Sequence, residues 1–504
     1  MVLKRREARS GTARLLALFM VFALVLGACA GAASPAPASG SPASSQGAAP
    51  SPTEAPAITP EPLDPAAPGP NGGVVVRWFV GLGAGGQPQQ LQAEAEFVNE
   101  FNNSQKDVYL ALEIYNNNVA ANILKTQIAA GNAPDIIGPV GVEGLNLFID
   151  QLLDLQPLID STGYEVEGVS QELVDFFKLG EGGATIGVPF AVYPSFMYFN
   201  KDLFDEAGLP YPPSKVGDQW NGKEWDMDAV REAGMKLTVD ANGNDATSPD
   251  FDAANIVQWG FDMQFADSSP LAESSLFGAS SFVAEDRKTA QIPDEVRTGE
   301  KWFNDGVWKD HFIPSQAQIN SDLLDKGSPF GSGNIAMVET HSWFTCCVYP
   351  APPAEPKVKN FGFAIAPSYN GKITAKLHAD TFSILKSTKV PDAAFQALTA
   401  LVGSGELLTL YGGMPADPSK QQAFIDSTNA NFPGQTLDWS IPQAMLEFPD
   451  VPNHQSWVPN YAKAKPAWQA FWNSYRTTEG GIDVDAELDK LQETLQGIFD
   501  EVSE

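Results

Sequence analysis

Histidine and cysteine are scarce in this chain, with four of one and three of the other in 504 residues. The histidines stand at 311, 341, 378 and 454 without HExxH or other metal-ligand spacing, and no CxxC pair exists. A zinc ribbon and a metalloprotease helix are therefore excluded. Basic residues are few as well: 31 against 62 acidic ones, a formal charge of −31. That balance speaks against a nucleic-acid binder, which needs a basic patch, and against adsorption to anionic lipid heads. Its plain use is solubility outside the cell. No G-x-S-x-G elbow occurs. No apolar run reaches the roughly 20 residues that span a membrane.

The front of the chain has a different character. Lys4, Arg5, Arg6, Arg9 and Arg14 precede an apolar stretch, Leu15 to Leu26. Leu26-Gly27-Ala28-Cys29 follows, with the small residues before a cysteine that look like a bacterial lipobox. Cys29 would then be diacylated and become the mature N-terminus, the alternative being an ordinary signal peptide cleaved nearby. Two acyl chains anchor stably where one does not. Residues 30–73 are almost wholly Ala, Ser, Pro, Gly, Thr and Glu, a composition that buries no core and reads as an extended tether.

About 430 residues follow Gly73, with 43% hydrophobic content in the whole chain. That exceeds one hydrophobic core and predicts two lobes. Val74–Val80 is a strand of the buried type, Leu91–Phe101 has apolar helical spacing, and Val108–Tyr115 is a second strand. Ala120–Ala130 is a helix stopped by Gly131, and Ala133–Ile137 begins a third strand. This alternation predicts an α/β fold with a parallel, helix-covered sheet. In Gly187–Pro213 two short β runs, Val188–Val192 and Phe196–Phe199, precede a helix at Lys201–Ala207. Asn200 would cap that helix and Gly208 would stop it.

Three motifs need a reading of their own. Gly81-x-Gly83-x-x-Gly86 follows a strand as a dinucleotide fingerprint would, but Pro88 sits where the helix should run and no acidic residue ends the second strand. It reads instead as a loop whose backbone can approach a solute, with Gly83 and Gln87 at hand; Gly141 lies in the matching loop after the third strand. Asp240–Asp245 superficially resembles a calcium loop, yet its glycine is fourth and Phe251 replaces the closing glutamate, so a turn is expected. Cys346 and Cys347 are adjacent. They form either a vicinal disulfide or two buried thiols.

The string VPFAVYPSFMYFNKDLFDEAGLPYPP, residues 188–213, resembles a signature of the extracellular solute-binding proteins of ABC importers. That broad family includes maltodextrin- and other sugar-binding proteins. IAAGNAPDII (128–137), LLDLQPLI (152–159), GNIAMV (333–338), FGFAIAP (361–367) and GGMPA (412–416) resemble further elements of it in the same order. The resemblance implies a two-lobe periplasmic-binding-protein-like (type II) fold with hinge crossovers. One lobe would be 74–189 plus 337–383, the other 190–336 plus 384–504, with hinges near Pro189–Ala191, Val338–Thr340 and Phe382–Ile384.

It also implies a role. The protein would capture a small solute, a sugar or oligosaccharide, between closing lobes and deliver it to an ABC permease. It would be a monomer held at the membrane only by its lipid, facing the periplasm or cell surface, with no cofactor and no catalysis. Trp343 falls where the family often has a binding tryptophan, and Glu339 and His341 precede it on a presumed hinge strand. Tyr193 follows the first hinge. Gln264 and Phe265 lie at a strand's C-terminal edge, where open α/β sheets bind ligands. Trp468 and Trp472 share a helix face in a region that often supplies a pocket aromatic, with core packing as the alternative for each. Flat aromatics cover a sugar's C–H face while carboxylates and amides take its hydroxyls. Two rivals remain: a lipid-anchored glycan hydrolase, which needs two carboxylates about a cleavage site, and the same scaffold binding peptides, polyamines or other non-sugar solutes.

Overall fold

The computed structural model describes residues 67–501 apart from 87, 166–168, 170, 180–182, 265–268, 347, 350–354, 412 and 456. The leader, Cys29 and most of the tether lie outside the described residues, as do Gln87, Phe265 and Cys347. A ten-stranded sheet runs through the molecule. Nine of its strands are β1 (Val74–Val80), β2 (Val108–Ile114), β3 (Ile136–Val140), β4 (Val188–Asn200), β5 (Ile256–Met263), β6 (Ile335–His341), β7 (Phe361–Ala364), β8 (Leu377–Ile384) and β9 (Met414–Pro415). The short strand Val239–Asp240 completes it beside β5.

The alternation read from the sequence appears at the start of the chain. β1 pairs in parallel with β2, from Val74↔Val108 to Val80↔Ile114, and with β3 on its other side. Helices α1 (Pro88–Ser104) and α2 (Asn117–Ala129) make the crossovers. Gly81 is tightly placed: φ is +130°, and a Cβ there would lie 2.4 Å from the Tyr115 carbonyl oxygen. Only glycine fits so close an approach in that conformation. The expected loop after Ile137 is partly strand, since β3 runs to Val140.

β4 joins two parts of the sheet. Its residues 188–194 pair antiparallel with β8, whereas 195–199 pair with β6 and 197–200 with β7. One side is ordered β2-β1-β3-β8-β4, and the other continues β4-β6-β5. The sequence reads two separate runs here, but all 13 residues form one buried strand. Pro194 stands where β4 leaves β8 for β6, so the missing N–H falls at the change of partner. Residues 337–341 pair in the second part of the sheet.

The cap signals are present as read. Asn200 accepts from Asp202 N at 3.1 Å at the start of a helix, Lys201–Ala207, that ends at Gly208 with φ 65°. The Asp240 turn also has the expected character. Burial opposes ionisation of Asp240, but N–H groups of Asp252, Asn244 and Asn242 outweigh it and bring its carboxyl to about 2.

Helices Pro391–Gly403 and Gly405–Tyr411 bury Ala394, Leu398, Leu401 and Leu408 in one core with Val76, Trp78, Phe382 and Ile384. Residues 391–411, which the sequence reading groups with the second lobe, thus share a core with β1 and β8. A separate core holds Phe282, Val296, Tyr461, Trp468, Leu488 and Leu495. Among the described residues no helix is long and apolar enough to cross a membrane.

Candidate functional site

A cavity of about 440 Å³ opens where β4 changes partner. Tyr193 projects from the last residues of β4 that pair with β8, and Trp343 follows β6 by two residues. Their rings meet at 5.4 Å with planes inclined by 56°. Both line the cavity. His341 lies behind Trp343, with ring centroids 4.1 Å apart and 30° between planes. The Trp343 indole is therefore backed by a second flat ring, which holds it as a firm surface.

β8 supplies the polar wall. His378 sits opposite Tyr193, and Asp380 two residues on shares its face of the strand. Both line the cavity. Burial raises the Asp380 carboxyl to about 6, with a hydrogen bond from Tyr193 working the other way. Burial holds His378 well below the ordinary histidine range. On the far side are Tyr411, closing helix Gly405–Tyr411, and Phe424, Ser427 and Thr428 from helix Gln421–Asn429. The Tyr411 hydroxyl donates to Glu94 at 2.7 Å. Burial lifts Glu94 to about 8, against the pull of that hydrogen bond.

A family model for bacterial extracellular solute-binding proteins matches residues 84–406. The chain belongs to this family. It is an extracytoplasmic solute-binding protein of the ABC-transporter type. Comparison with curated proteins finds no significant sequence match. Solved structures give the fold. M. tuberculosis UspC aligns with a TM-score of 0.63 at 20% identity, covering 84% of this chain and all of that one. The sugar-binding protein MalE of Xanthomonas citri aligns at 0.63 and 16%, covering 85% and 98%. An ABC substrate-binding protein of Listeria monocytogenes in complex with cycloalternan aligns at 0.61 and 18%, covering 84% and 98%. The fold is accordingly the two-lobe α/β architecture of periplasmic binding proteins.

The sequence-predicted residues divide into three groups. Trp343 and Tyr193 line the cavity of this solute-binding protein. A second group lies close to it without lining it. Glu339 is fully buried and pairs with Lys376, and His341 contacts Tyr193 O through Nδ1 at 2.9 Å. Gly141 abuts Asp380, since a Cβ would come 3.2 Å from its Oδ1. Gly83 precedes the lining residue Ala84, and its carbonyl accepts from Asn117.

The third group sits elsewhere. Gln264 is buried and accepts from Phe330 N at 2.8 Å. Trp468 packs between Phe282 and Tyr461 at 5.7 and 5.4 Å, the core role that its helical spacing equally allows. Trp472 lies under the Arg476 guanidinium, 5.0 Å from its ring centroid. Gln87, Phe265 and Cys347 lie outside the described residues, and Cys346 closes the short helical turn Ser342–Cys346 that carries Trp343.

Sequence reasoning missed His378, Asp380 and Tyr411. A signal existed for two of them: polar residues at alternate positions of an otherwise apolar strand, LHADTFSI.

Proposed function

We propose that this protein captures a sugar or oligosaccharide at Tyr193 and Trp343, closes its two lobes over it, and delivers it to an ABC permease with its covalent bonds intact. The observation that supports this reading best is the make-up of the cavity wall. An aromatic pair offers a flat face, Asp380, Ser427 and Thr428 offer hydrogen bonds, and no lysine or arginine is among the described lining residues. Such a surface suits a polyhydroxylated, non-anionic solute. Cycloalternan in the Listeria protein and maltotriose in the maltodextrin-binding domain of Bdellovibrio bacteriovorus MalE agree with that class.

Closure supplies the energetics. Solute that contacts both lobes binds the shut form more tightly and shifts the population towards it. We place the lobe division along the sheet, β1–β3 with β8 on one side and β5–β7 on the other, with β4 as a crossing strand. The proposal includes a diacylated Cys29 that tethers a monomer through the Pro-rich segment, and no catalysis. It also includes a Cys346–Cys347 disulfide, which follows Trp343 by three residues in the sequence.

The test is a thermal-shift screen of the full chain against mono- and oligosaccharides, amino acids and polyamines. Ligand at 100 times its dissociation constant stabilises by about 2.7 kcal/mol. A response to sugars alone is expected. A response confined to amino acids or polyamines would overturn the sugar reading.

A further inference from the structure

Three of the four histidines meet beside this cavity, although residues 341, 378 and 454 are far apart in the chain. His378 stands edge-on to His341 at 4.4 Å, and its Nε2 lies 3.0 Å from Nε2 of His454. His454 Nδ1 in turn lies 2.5 Å from Asp450 Oδ2. Among the described residues no group of three or more His, Cys, Asp or Glu is placed to hold a metal ion, so the cluster needs another account.

Hydrogen-bond roles supply it. Asp450 is fully buried, and its other hydrogen-bond partners among the described residues are N–H donors. Leu377 N and Asn453 Nδ2 reach Oδ1 at 2.8 and 3.2 Å, and His454 N reaches Oδ2 at 2.8 Å. Asp450 thus acts as an acceptor, and His454 Nδ1 must carry a proton. With His454 neutral, its Nε2 keeps a lone pair. His378 Nε2 must then donate to it, which leaves His378 Nδ1 as a lone pair. That atom has no hydrogen-bond partner among the described residues. Its residue is half-buried and lines the cavity. The charged and titratable groups around the cluster are Lys376, paired with Glu339, together with Asp380 and Tyr193.

We infer that Asp450 and a neutral His454 are positioning residues that lock His378 in its Nε2–H tautomer, so that Nδ1 faces the cavity as a hydrogen-bond acceptor. Together with the Asp380 carboxylate, about 7 Å along the same strand face, it gives the polar wall two acceptors. A solute that donates at both, through hydroxyl or ammonium groups, is favoured, and carboxylated or phosphorylated solutes are rejected. The second step rests on the cavity being the solute site; the tautomer does not.

The chain's four histidines make ¹⁵N-histidine NMR of the full protein tractable. Long-range ¹H–¹⁵N spectra should show His378 protonated at Nε2 and His454 at Nδ1. Asp450→Leu leaves no acceptor for the His454 Nδ1–H, so His454 should no longer be held in one tautomer and His378 should lose its single Nε2–H form. With maltotriose as probe, affinity should then fall at least threefold. A protonated Nδ1 on His378 in the unmodified protein, or an unchanged single His378 Nε2–H form in Asp450→Leu, would overturn the inference. If that variant does not fold, the unmodified protein's spectrum decides alone. Correct tautomers without any response to maltotriose would count against the sugar reading and leave the relay standing.

Discussion

Tyr193 and Trp343 meet ring to ring at 5.4 Å, one from the half of β4 that pairs with β8, the other from the turn after β6. The contact spans the two parts of the sheet, which makes it sensitive to their relative movement. It also places the aromatic floor of the cavity at the point where the chain crosses.

Trp343→Ala should weaken binding of the sugar found in the screen by about 1–3 kcal/mol, the scale of a buried aromatic contact. Isothermal titration calorimetry reads this directly. Unchanged affinity would remove Trp343 from the site.

Trp468→Ala should behave in the opposite way. This ring is buried in the core of Phe282 and Tyr461, so its loss should cost about 3–5 kcal/mol of stability. The folded fraction should keep its affinity. Denaturant unfolding and calorimetry on the same preparation separate the two effects.

Glu94 gives a stability signature in pH. Burial raises its carboxyl to about 8, against an ordinary value of about 4.3 in an unfolded chain. Between those values the folded state holds a proton that the unfolded state releases. The stability Glu94 contributes is therefore complete below about pH 4 and is lost as pH rises through 8, by at most about 1.4 kcal/mol per pH unit. Glu94→Gln keeps an acceptor for Tyr411 and removes the titration. Its stability relative to the unmodified protein should rise from pH 5 to pH 8, as measured by urea unfolding. A difference that does not change with pH would contradict the assignment.

One pair of contacts joins the helix Val142–Asn146 to the chain's final third. Lys465 pairs with Glu143, and Asn146 Nδ2 donates to Gln455 O at 2.6 Å. Both charges of the pair are partly exposed, which limits its worth to about 1 kcal/mol. Lys465→Met should change solute affinity by no more than fivefold or so at low salt, with the effect fading in 0.5 M salt. A larger, salt-independent loss would show that Lys465 packs rather than pairs.

The proposed Cys346–Cys347 bond predicts no free thiol from these two residues when the unreduced protein is denatured. Two titratable thiols would remove it.

The sequence made strands β1–β3 and their crossover helices legible because their signals are local. Apolar runs of strand length alternate with helical spacing, and Asn200 and Gly208 punctuate a helix by backbone chemistry that needs no partner. Trp343 was legible through family wording and Tyr193 through its place after a crossing segment. His378 and Asp380 left only the alternation of polar residues in LHADTFSI, which does not tell that β8 meets β4 nearly 190 residues away in an antiparallel register. Trp468 and Trp472 show a related limit. Helical spacing placed them on one face, but what that face meets, Phe282 for one and Arg476 for the other, is set by packing. The grouping of residues 391–411 with β1 and β8 likewise follows from a shared core, not from proximity in sequence.

Small-angle X-ray scattering of the protein with and without its saturating sugar tests the central claim most directly. Lobes that shut on the solute predict a smaller radius of gyration and a shorter maximum dimension in the bound state. An unchanged scattering profile while calorimetry shows the sugar bound would contradict it.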